Sequence, residues 1–167
     1  MIQVYTGNGK GKTTAALGLA LRAAGAGKKV YIGQFIKGLD YSEIKALKKL
    51  KNIKLEQFGR GCFIKGEPRP GDRELACAGL EKIARAAAGN EFEVIILDEI
   101  NVALDIKLLE LKPVLRLLRN ARRRTELVLT GRNAPKQVLA AADLVSEIQE
   151  VKHYYRKGQT ARRGIEY

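Results

Sequence analysis

The sequence predicts an α/β fold, in which a mostly parallel β-sheet is covered by helices on both faces. Short segments rich in β-branched residues alternate with longer segments whose apolar residues recur at helical spacing. Two of the short segments, Val94 to Leu97 and Leu127 to Leu129, are apolar at every position, as is typical of strands buried on both faces. A glycine-rich turn joins the first strand to the first helix. Residues 1–167 are expected to form one domain.

The first part of the chain opens with an apolar strand at Ile2 to Tyr5, which leads into the glycine-rich turn. Thr13 to Ala26 is rich in alanine and leucine and closes at two glycines, so it predicts a helix. Lys29 to Ile36 is β-branched and aromatic and predicts the second strand. Ser42 to Leu50 predicts a helix with Ser42 as its N-cap.

In the next part, Ile53 to Phe58 predicts a short third strand. Gly59 to Gly71 holds four glycines and two prolines and predicts a loop. Arg73 to Ala88 carries one apolar stripe and predicts a helix. Glu93 to Leu97 is an apolar strand that ends in two acids. The alternation continues with a helix at Pro113 to Arg122, a strand at Glu126 to Thr130, a helix at Pro135 to Ala142 and a strand at Leu144 to Ile148.

The formal net charge of +13 is the unusual bulk property of the chain. It attracts polyanions such as nucleotides, nucleic acid or acidic lipid, although solvated helix faces explain it equally well. No apolar run approaches the ~20 residues that span a bilayer, so no membrane segment is expected. Cys62 and Cys77 lack metal-ligand spacing, and no signal peptide precedes them, so we expect free thiols in a cytoplasmic protein.

The glycine-rich turn, Thr6 to Thr14, reads TGNGKGKTT and has the strand–loop–helix context of a P-loop. In such a loop, backbone N–H groups surround phosphate and the helix N-terminus adds partial positive charge. Lys12 can reach phosphate oxygens, and the Thr13 hydroxyl can bind Mg²⁺. The usual pattern G-x-x-x-x-G-K-[ST] would place its first glycine one residue before Gly7. This altered spacing is compatible with a triphosphate held differently from that of a γ-phosphate hydrolase.

A second motif follows the apolar strand that ends at Leu97, where Asp98 and Glu99 stand side by side. An apolar strand ending in acids is typical of a Walker B motif. Carboxylates at the carboxyl end of a parallel strand lie in the crevice where ligands bind. One of the two acids is expected to hold Mg²⁺, directly or through water.

Taken together, several segments resemble one family, the P-loop type of ATP:corrinoid adenosyltransferase, which implies a RecA-like P-loop NTPase fold. The resemblance extends from Ile2 to Tyr167. The segments that carry it are Thr6–Thr14, Gln34–Gly38, Leu97–Ile100, Thr130–Pro135, Ala142–Glu147, Val151–Gly158 and Ala161–Tyr167.

The resemblance implies that Co(I) of a corrinoid attacks C5′ of ATP and that inorganic triphosphate leaves. It implies that catalysis depends on Lys12 and Glu99, and that Mg²⁺ is held by Thr13 and Glu99, with Asp98 as the second choice of acid. The residues implied in ATP binding are Thr6, Gly7, Asn8, Gly9, Lys10, Gly11, Lys12, Thr13, Thr14 and Arg132. The residues implied in corrinoid binding are Phe35, Lys37, Phe63, Arg132 and Asn133.

One of the departures from the family pattern follows the third strand. Some members carry an aromatic F-x-W after the third strand, where this chain has Cys62, Phe63 and Ile64 and no tryptophan. The loop Gly59 to Gly71 is expected to close over the lower face of the cobalt, with Phe63 excluding water. His153 is the only histidine and is expected to pack or hydrogen-bond within the tail rather than bind cobalt.

Two alternatives remain open at this stage: a RecA-like ATPase stimulated by nucleic acid, and a nucleotide-binding module without catalysis. The first alternative draws on the charge of +13, but it needs interleaved basic and aromatic residues, for which only Tyr154 to Lys157 is a candidate. Under the adenosyltransferase interpretation, specific nucleic-acid binding is not expected. The expected partners are ATP, a corrinoid, a flavoprotein reductase and a second copy of the chain in a homodimer.

Overall fold

A computed structural model describes residues 1–39, 41–61 and 66–167. Over these ranges, six strands alternate with six α-helices, except that two helices in succession separate the fourth and fifth strands, and a short 3₁₀-helix follows. The elements are β1 Ile2–Thr6, α1 Lys12–Gly25, β2 Val30–Lys37, α2 Ser42–Leu47, β3 Ile53–Gly61, α3 Pro70–Ala88, β4 Val94–Asp98, α4 Ile100–Asp105, α5 Leu111–Asn120, β5 Glu126–Thr130, α6 Lys136–Ala141, β6 Leu144–Glu147 and the 3₁₀-helix Tyr154–Lys157. Along the described residues, no helix has the length and apolar character needed to cross a membrane.

The strands form one sheet in the order β3-β2-β4-β5-β1-β6, and every pairing between described strands is parallel. The predicted α/β fold with a parallel sheet is therefore confirmed. All carboxyl ends of the strands meet at one edge, which is where parallel α/β sheets bind ligands. β5 separates β1, which leads into the P-loop, from β4, which ends in the two acids.

The sheet is buried on both faces, and each face has its own hydrophobic cluster. Helices α1 and α2 cover one face, where Val94 and Ile96 of β4 pack with the alanines of α1. Helices α3 to α6 cover the other face, where Ile95 and Leu97 of the same strand are buried. Because successive strand residues point to opposite faces, a doubly covered strand is apolar at successive positions, as Val94 to Leu97 of β4 are.

Several predicted boundaries were wrong. Ser42 is the first residue of α2 and Tyr41 is the N-cap, with no side-chain cap bond, and the helix ends at Leu47. The Ser42 hydroxyl instead donates to the Tyr167 carbonyl, at 3.1 Å. Helix α4 was not predicted, because its six residues, INVALD, are too few to show a period.

The predicted loop Gly59 to Gly71 is also shorter than expected. β3 continues to Gly61, since Gly61 pairs with Lys37 of β2. Helix α3 begins at Pro70, where a proline in the first turn needs no N–H partner. Cys62, Phe63 and Ile64, to which the water-excluding role was assigned, lie outside the described residues.

We expect Gly79→Ala to lower the free energy of unfolding by about 1–3 kcal/mol, as overpacking of a core does. A Cβ atom at Gly79, in the middle of α3, would overlap the Phe58 ring. The matched control is Gly18→Ala in the middle of α1, where a Cβ meets nothing within 4 Å. That change should stabilise by roughly 0.5–1 kcal/mol. Urea unfolding of both variants tests the packing, and equal stability would contradict it.

Candidate active site

The P-loop lies against the chain segment that follows β6. The Gly9 N–H donates to the Ile148 carbonyl at 2.7 Å. A Cβ at Gly9 would lie 2.7 Å from the Gln149 carbonyl oxygen, and one at Gly7 would lie 2.5 Å from that of Ile148. These two glycines are thus required by the close approach of two backbones. The sequence had explained them only by phosphate binding.

Lys12 stands at the start of α1 with its side chain directed into the loop. It is buried, and its Nζ donates to the carbonyls of Gly7 and Gly9 at 2.7 Å each. Burial lowers the pKa of Lys12, and the nearby Arg132 charge lowers it further while Glu99 opposes them. An ammonium that bonds only neutral carbonyls here gains charge compensation when an anion reaches the loop.

Asp98, at the end of β4, is fully buried and is bonded from four directions. Its Oδ1 accepts from the hydroxyls of Thr13, at 2.8 Å, and Thr130, at 2.7 Å. Its Oδ2 accepts from Lys37, at 2.9 Å, and from the Gln34 amide, at 3.1 Å. Burial opposes ionisation, but Lys37 and the hydrogen bonds outweigh it, so the pKa of Asp98 lies below its usual value.

Glu99, the next residue, adopts a left-handed backbone conformation with φ 62° and ψ 19°. A left-handed non-glycine residue is uncommon, and such strain persists where its surroundings fix it. Here the Glu99 N–H donates to Thr130 Oγ1 at 2.9 Å. Burial and the neighbouring Asp98 charge raise the pKa of Glu99, while Lys37 lowers it. Lys12 and Arg132 also lower the pKa of Glu99, but burial and the Asp98 charge outweigh all three cations.

Lys37, at the end of β2, places its ammonium between these groups. Its Nζ lies 2.9 Å from Asp98 Oδ2, 3.2 Å from Thr13 Oγ1 and 4.0 Å from Glu99 Oε1. Burial alone would lower the pKa of Lys37, but the charges of Asp98 and Glu99 reverse that effect and raise it.

A cleft of about 1020 Å³ opens from the P-loop, large enough for a nucleotide. One wall is the cleft-facing side of α1, a second is α2, and a third is the end of the chain, Gly164 to Tyr167. His153 also lines it, with its Nδ1 accepting from the Tyr155 N–H at 3.1 Å and its ring 4.8 Å from that of Tyr154. Those bonds agree with the predicted role of His153 within the tail.

Lys10 fastens the C-terminal wall to the P-loop. Its Nζ donates to Glu166 Oε1 at 2.7 Å, to the Tyr154 hydroxyl at 2.8 Å and to the Ile165 carbonyl at 3.1 Å. Glu166 also accepts from Tyr154 and from Arg162. The hydrogen bond from Lys10 lowers the pKa of Glu166, and those from Tyr154 and Arg162 lower it further. The Lys10 ammonium thus donates to three groups of the C-terminal tail, residues 152–167.

The structure brings most of the predicted site together. The predicted residues that line the cleft are Gly9, Lys10, Gly11, Lys12, Thr13, Thr14, Lys37, Glu99 and Arg132. Asp98 lies directly behind Thr13, to which it is hydrogen-bonded. Thr6, Gly7 and Asn8 are not among the lining residues.

Two residues predicted to contact the corrinoid lie elsewhere. The Phe35 ring is fully buried and packs 5.5 Å from the Phe58 ring, centroid to centroid, in the core under α3. Asn133 is exposed and donates to Asp105 Oδ2 at 2.8 Å. Neither residue lines the cleft. Alternation along β2 places the Phe35 ring in the core, and the turn after β5 directs Asn133 toward α4.

Three further residues of the site were missed as site residues. Gln34 and Thr130 hold Asp98, and Glu166 holds Lys10. A polar residue inside or at the end of an otherwise apolar strand is a signal that could have found the first two. Glu166 gave no local signal, because its partner is 156 residues away in sequence.

Comparisons with known proteins agree on one family. The profile of the family described as ATP:corrinoid adenosyltransferase BtuR/CobO/CobP matches residues 1–167. The corrinoid adenosyltransferase of Escherichia coli K12 is 34% identical over 167 residues, covering 100% of this chain and 85% of its own length. The corrinoid adenosyltransferase CobA of Salmonella typhimurium gives the same identity and coverage. That of Pseudomonas aeruginosa is 34% identical over 169 residues, covering 100% and 83%.

Among solved structures, the crystal structure of the RadB recombinase superposes with a TM-score of 0.58. The superposition covers 91% of this chain and 75% of the RadB chain, at 15% sequence identity. At that identity the similarity concerns the fold alone, and it supports the P-loop α/β assignment with RecA-like architecture.

The bonds of Lys10 generate a test. We expect Glu166→Gln to loosen the C-terminal wall, so that protease cleaves the tail several-fold faster, because exposed local segments open more readily. It should also weaken binding of a fluorescent ATP analogue. The matched control is Glu150→Gln, whose carboxylate pairs with Arg156 and has no bond to Lys10 among the described residues. If both variants are cleaved at the wild-type rate, Lys10 does not fasten the wall.

Proposed function

The chain belongs to the ATP:corrinoid adenosyltransferase family, and we propose that it transfers the 5′-deoxyadenosyl group of ATP to the Co(I) of a corrinoid. The observation that carries the proposal is a P-loop at the head of a cleft of about 1020 Å³, where Lys12 and Glu99 line the cleft and Thr13 bonds the buried Asp98. In this reaction the Co(I) electron pair forms the bond to C5′. The C5′–O bond breaks, triphosphate leaves with its electron pair, and cobalt becomes Co(III).

We propose that Lys12 and Arg132 bind the leaving triphosphate. Lys12 exchanges its bonds to the loop carbonyls for triphosphate oxygens, and the N–H groups at the start of α1 add partial positive charge. Both stabilise charge that grows on the leaving oxygen, which is where such contacts accelerate a reaction. Arg132 lines the same cleft and adds a second mobile cation.

We propose Mg²⁺ as the cofactor, since the oxygens present suit it. Within the described residues no three His, Cys, Asp or Glu side chains converge on one point, so the hydroxyl of Thr13 and phosphate oxygens of ATP must complete the set. Glu99 lines the cleft and Asp98 is buried behind Thr13, which supports Glu99 as the direct ligand and Asp98 as the group that orients Thr13. When bound, Mg²⁺ would neutralise phosphate charge.

We propose that the corrinoid lies over the open mouth of the cleft, near Arg132 and Lys37. For Phe63, Phe35 and Asn133 a role toward the corrinoid stays a prediction, as does that of Thr6, Gly7 and Asn8 toward ATP. Of these, Phe35 would need to leave the core to make such a contact.

Finer features of the function are likewise proposals. We propose cob(I)alamin as the corrinoid, in adenosylcobalamin synthesis or salvage, and one domain over residues 1–167.

A homodimer is supported by the exposed Leu144 and Val145 on edge strand β6, at 45% and 48% exposure. The charge of +13 supports an acidic flavoprotein reductase as electron donor. The free, exposed thiol of Cys77 supports a cytoplasmic location.

The proposal is tested by the phosphate product. Under anaerobic conditions with ATP, Mg²⁺ and chemically reduced cob(I)alamin, we expect inorganic triphosphate and adenosylcobalamin in equal amounts. Addition of DNA should not change the rate, and any DNA binding should weaken steeply with salt. Orthophosphate release stimulated by DNA would instead support the ATPase alternative and overturn the proposal.

We expect Lys12→Ala to slow adenosyl transfer by roughly 10²–10³-fold, the cost of losing one donor to a developing anion. The fold should be retained, because both hydrogen bonds of Lys12 stay within the P-loop and do not join it to another element. Lys28→Ala, at an exposed site beyond the end of α1, is the matched control. Activity of the first variant within about tenfold of wild type would remove Lys12 from this role.

A further inference from the structure

The Lys37 ammonium lies at the point where oxygens of Thr13, Asp98 and Glu99 converge. The three distances, 3.2, 2.9 and 4.0 Å, join one Nζ to a hydroxyl and two carboxylates. These are the same three side chains that would hold or orient a divalent cation in the proposed function. A metal bound to them and a lysine bonded to them cannot occupy this point together.

The backbone of β2 is shaped to bring Lys37 there. Ile36 has φ 69°, a genuine outlier for a β-branched residue, and the register with β3 shifts between Phe35 and Lys37. Phe35 and Ile36 both pack in the cluster under α3, so regular alternation is broken at this point. Without the bulge, Lys37 would follow Phe35 onto that face. With it, Lys37 joins Gln34 on the side of Asp98.

At the metal position, one positive charge from Lys37 faces two negative charges from Asp98 and Glu99 when these are ionised. Lys12 and Arg132 add positive charge near Glu99 from the cleft. The Lys37 side chain is 17% exposed and that of Glu99 is 23% exposed, so both border the cleft, whereas Asp98 has no exposed area. Lys37 can therefore move toward the cleft on its flexible four-carbon stem, and Asp98 cannot follow.

We propose that the Lys37 ammonium occupies the metal position when no metal is bound. The divalent cation that enters with ATP displaces it, and the displaced Lys37 then pairs with the triphosphate. This inference rests on the proposed function for the identity of the cation and its nucleotide. Without metal, Lys37 thereby offsets part of the negative charge of Asp98 and Glu99. It also competes with a divalent cation, so the protein binds metal only weakly when no nucleotide is present. A divalent ion at this point repels an ammonium a few ångströms away, so entry of one drives out the other.

The first experiment measures Mn²⁺ binding by electron paramagnetic resonance, on full-length protein without nucleotide or corrinoid. We expect wild type to bind Mn²⁺ weakly and Lys37→Met to bind it about tenfold more tightly or better, because the competing charge is gone. Lys37→Arg should keep the low affinity of wild type, since it keeps the charge. Lys45→Met removes one lysine from the exposed side of α2 and is the control. Equal Mn²⁺ affinity in wild type and Lys37→Met would overturn the proposal.

The second experiment tests where Lys37 goes. Inorganic tripolyphosphate is titrated in a calorimeter with Mg²⁺ present, so that corrinoid chemistry plays no part. We expect Lys37→Met to bind tripolyphosphate about tenfold more weakly than Lys45→Met, as loss of a charge-assisted contact does. Unchanged affinity would overturn the pairing of Lys37 with triphosphate.

A thermal readout covers the case in which Lys37→Met is poorly stable. Binding to the native state raises Tm, so Mn²⁺ should raise the Tm of Lys37→Met more than that of wild type. No difference between the two shifts would overturn the proposal. These measurements need no adenosyl transfer. If the Lys37 proposal fails, the adenosyl-transfer assay still tests the proposed function. If that assay fails, the Mn²⁺ comparison still tests the Lys37 proposal.

Discussion

The buried carboxylate of Asp98 is the constraint on which the site depends. A carboxylate without solvent access is costly unless its oxygens are bonded and its charge is balanced. Here the donors come from α1, from two positions on β2 and from β5, so one side chain joins four elements. Satisfying Asp98 therefore also fixes the start of the nucleotide-binding helix and the ends of three strands.

The same requirement explains two strained residues beside it. The left-handed conformation of Glu99 turns the chain sharply from β4 into α4 and leaves its N–H on Thr130. The left-handed conformation of Ile36 interrupts β2 and turns Lys37 toward the carboxylate. A Cβ at Gly59 of β3 would overlap the Ile36 carbonyl, so the neighbouring strand also makes room for the bulge. Strain at both positions is offset by the bonds it allows.

The fold and the central site could be predicted because their signals are local. The P-loop spacing sets Lys12 and Thr13 at a helix start, and an apolar strand ending in acids sets Asp98 at a sheet edge. Residues whose positions depend on long-range geometry could not be placed. Phe35 packs against Phe58 of the neighbouring strand β3, and its role toward the corrinoid stays a prediction. The C-terminal wall joined by Lys10 and Glu166 involves residues 156 positions apart, which no sequence window contains.

The position of β1 in the sheet has a consequence for how the chain is made. β1 is synthesised well before both of its neighbours in the sheet, β5 and β6, which follow it at Glu126–Thr130 and Leu144–Glu147. The P-loop also needs the segment at Ile148 and Gln149 against which its glycines pack. Long-range parallel pairing of this kind forms slowly and leaves hydrophobic strands exposed meanwhile. The P-loop is thus synthesised before the segment that completes it, so ATP can stabilise the nucleotide site only after Ile148 and Gln149 have been translated and folded against it.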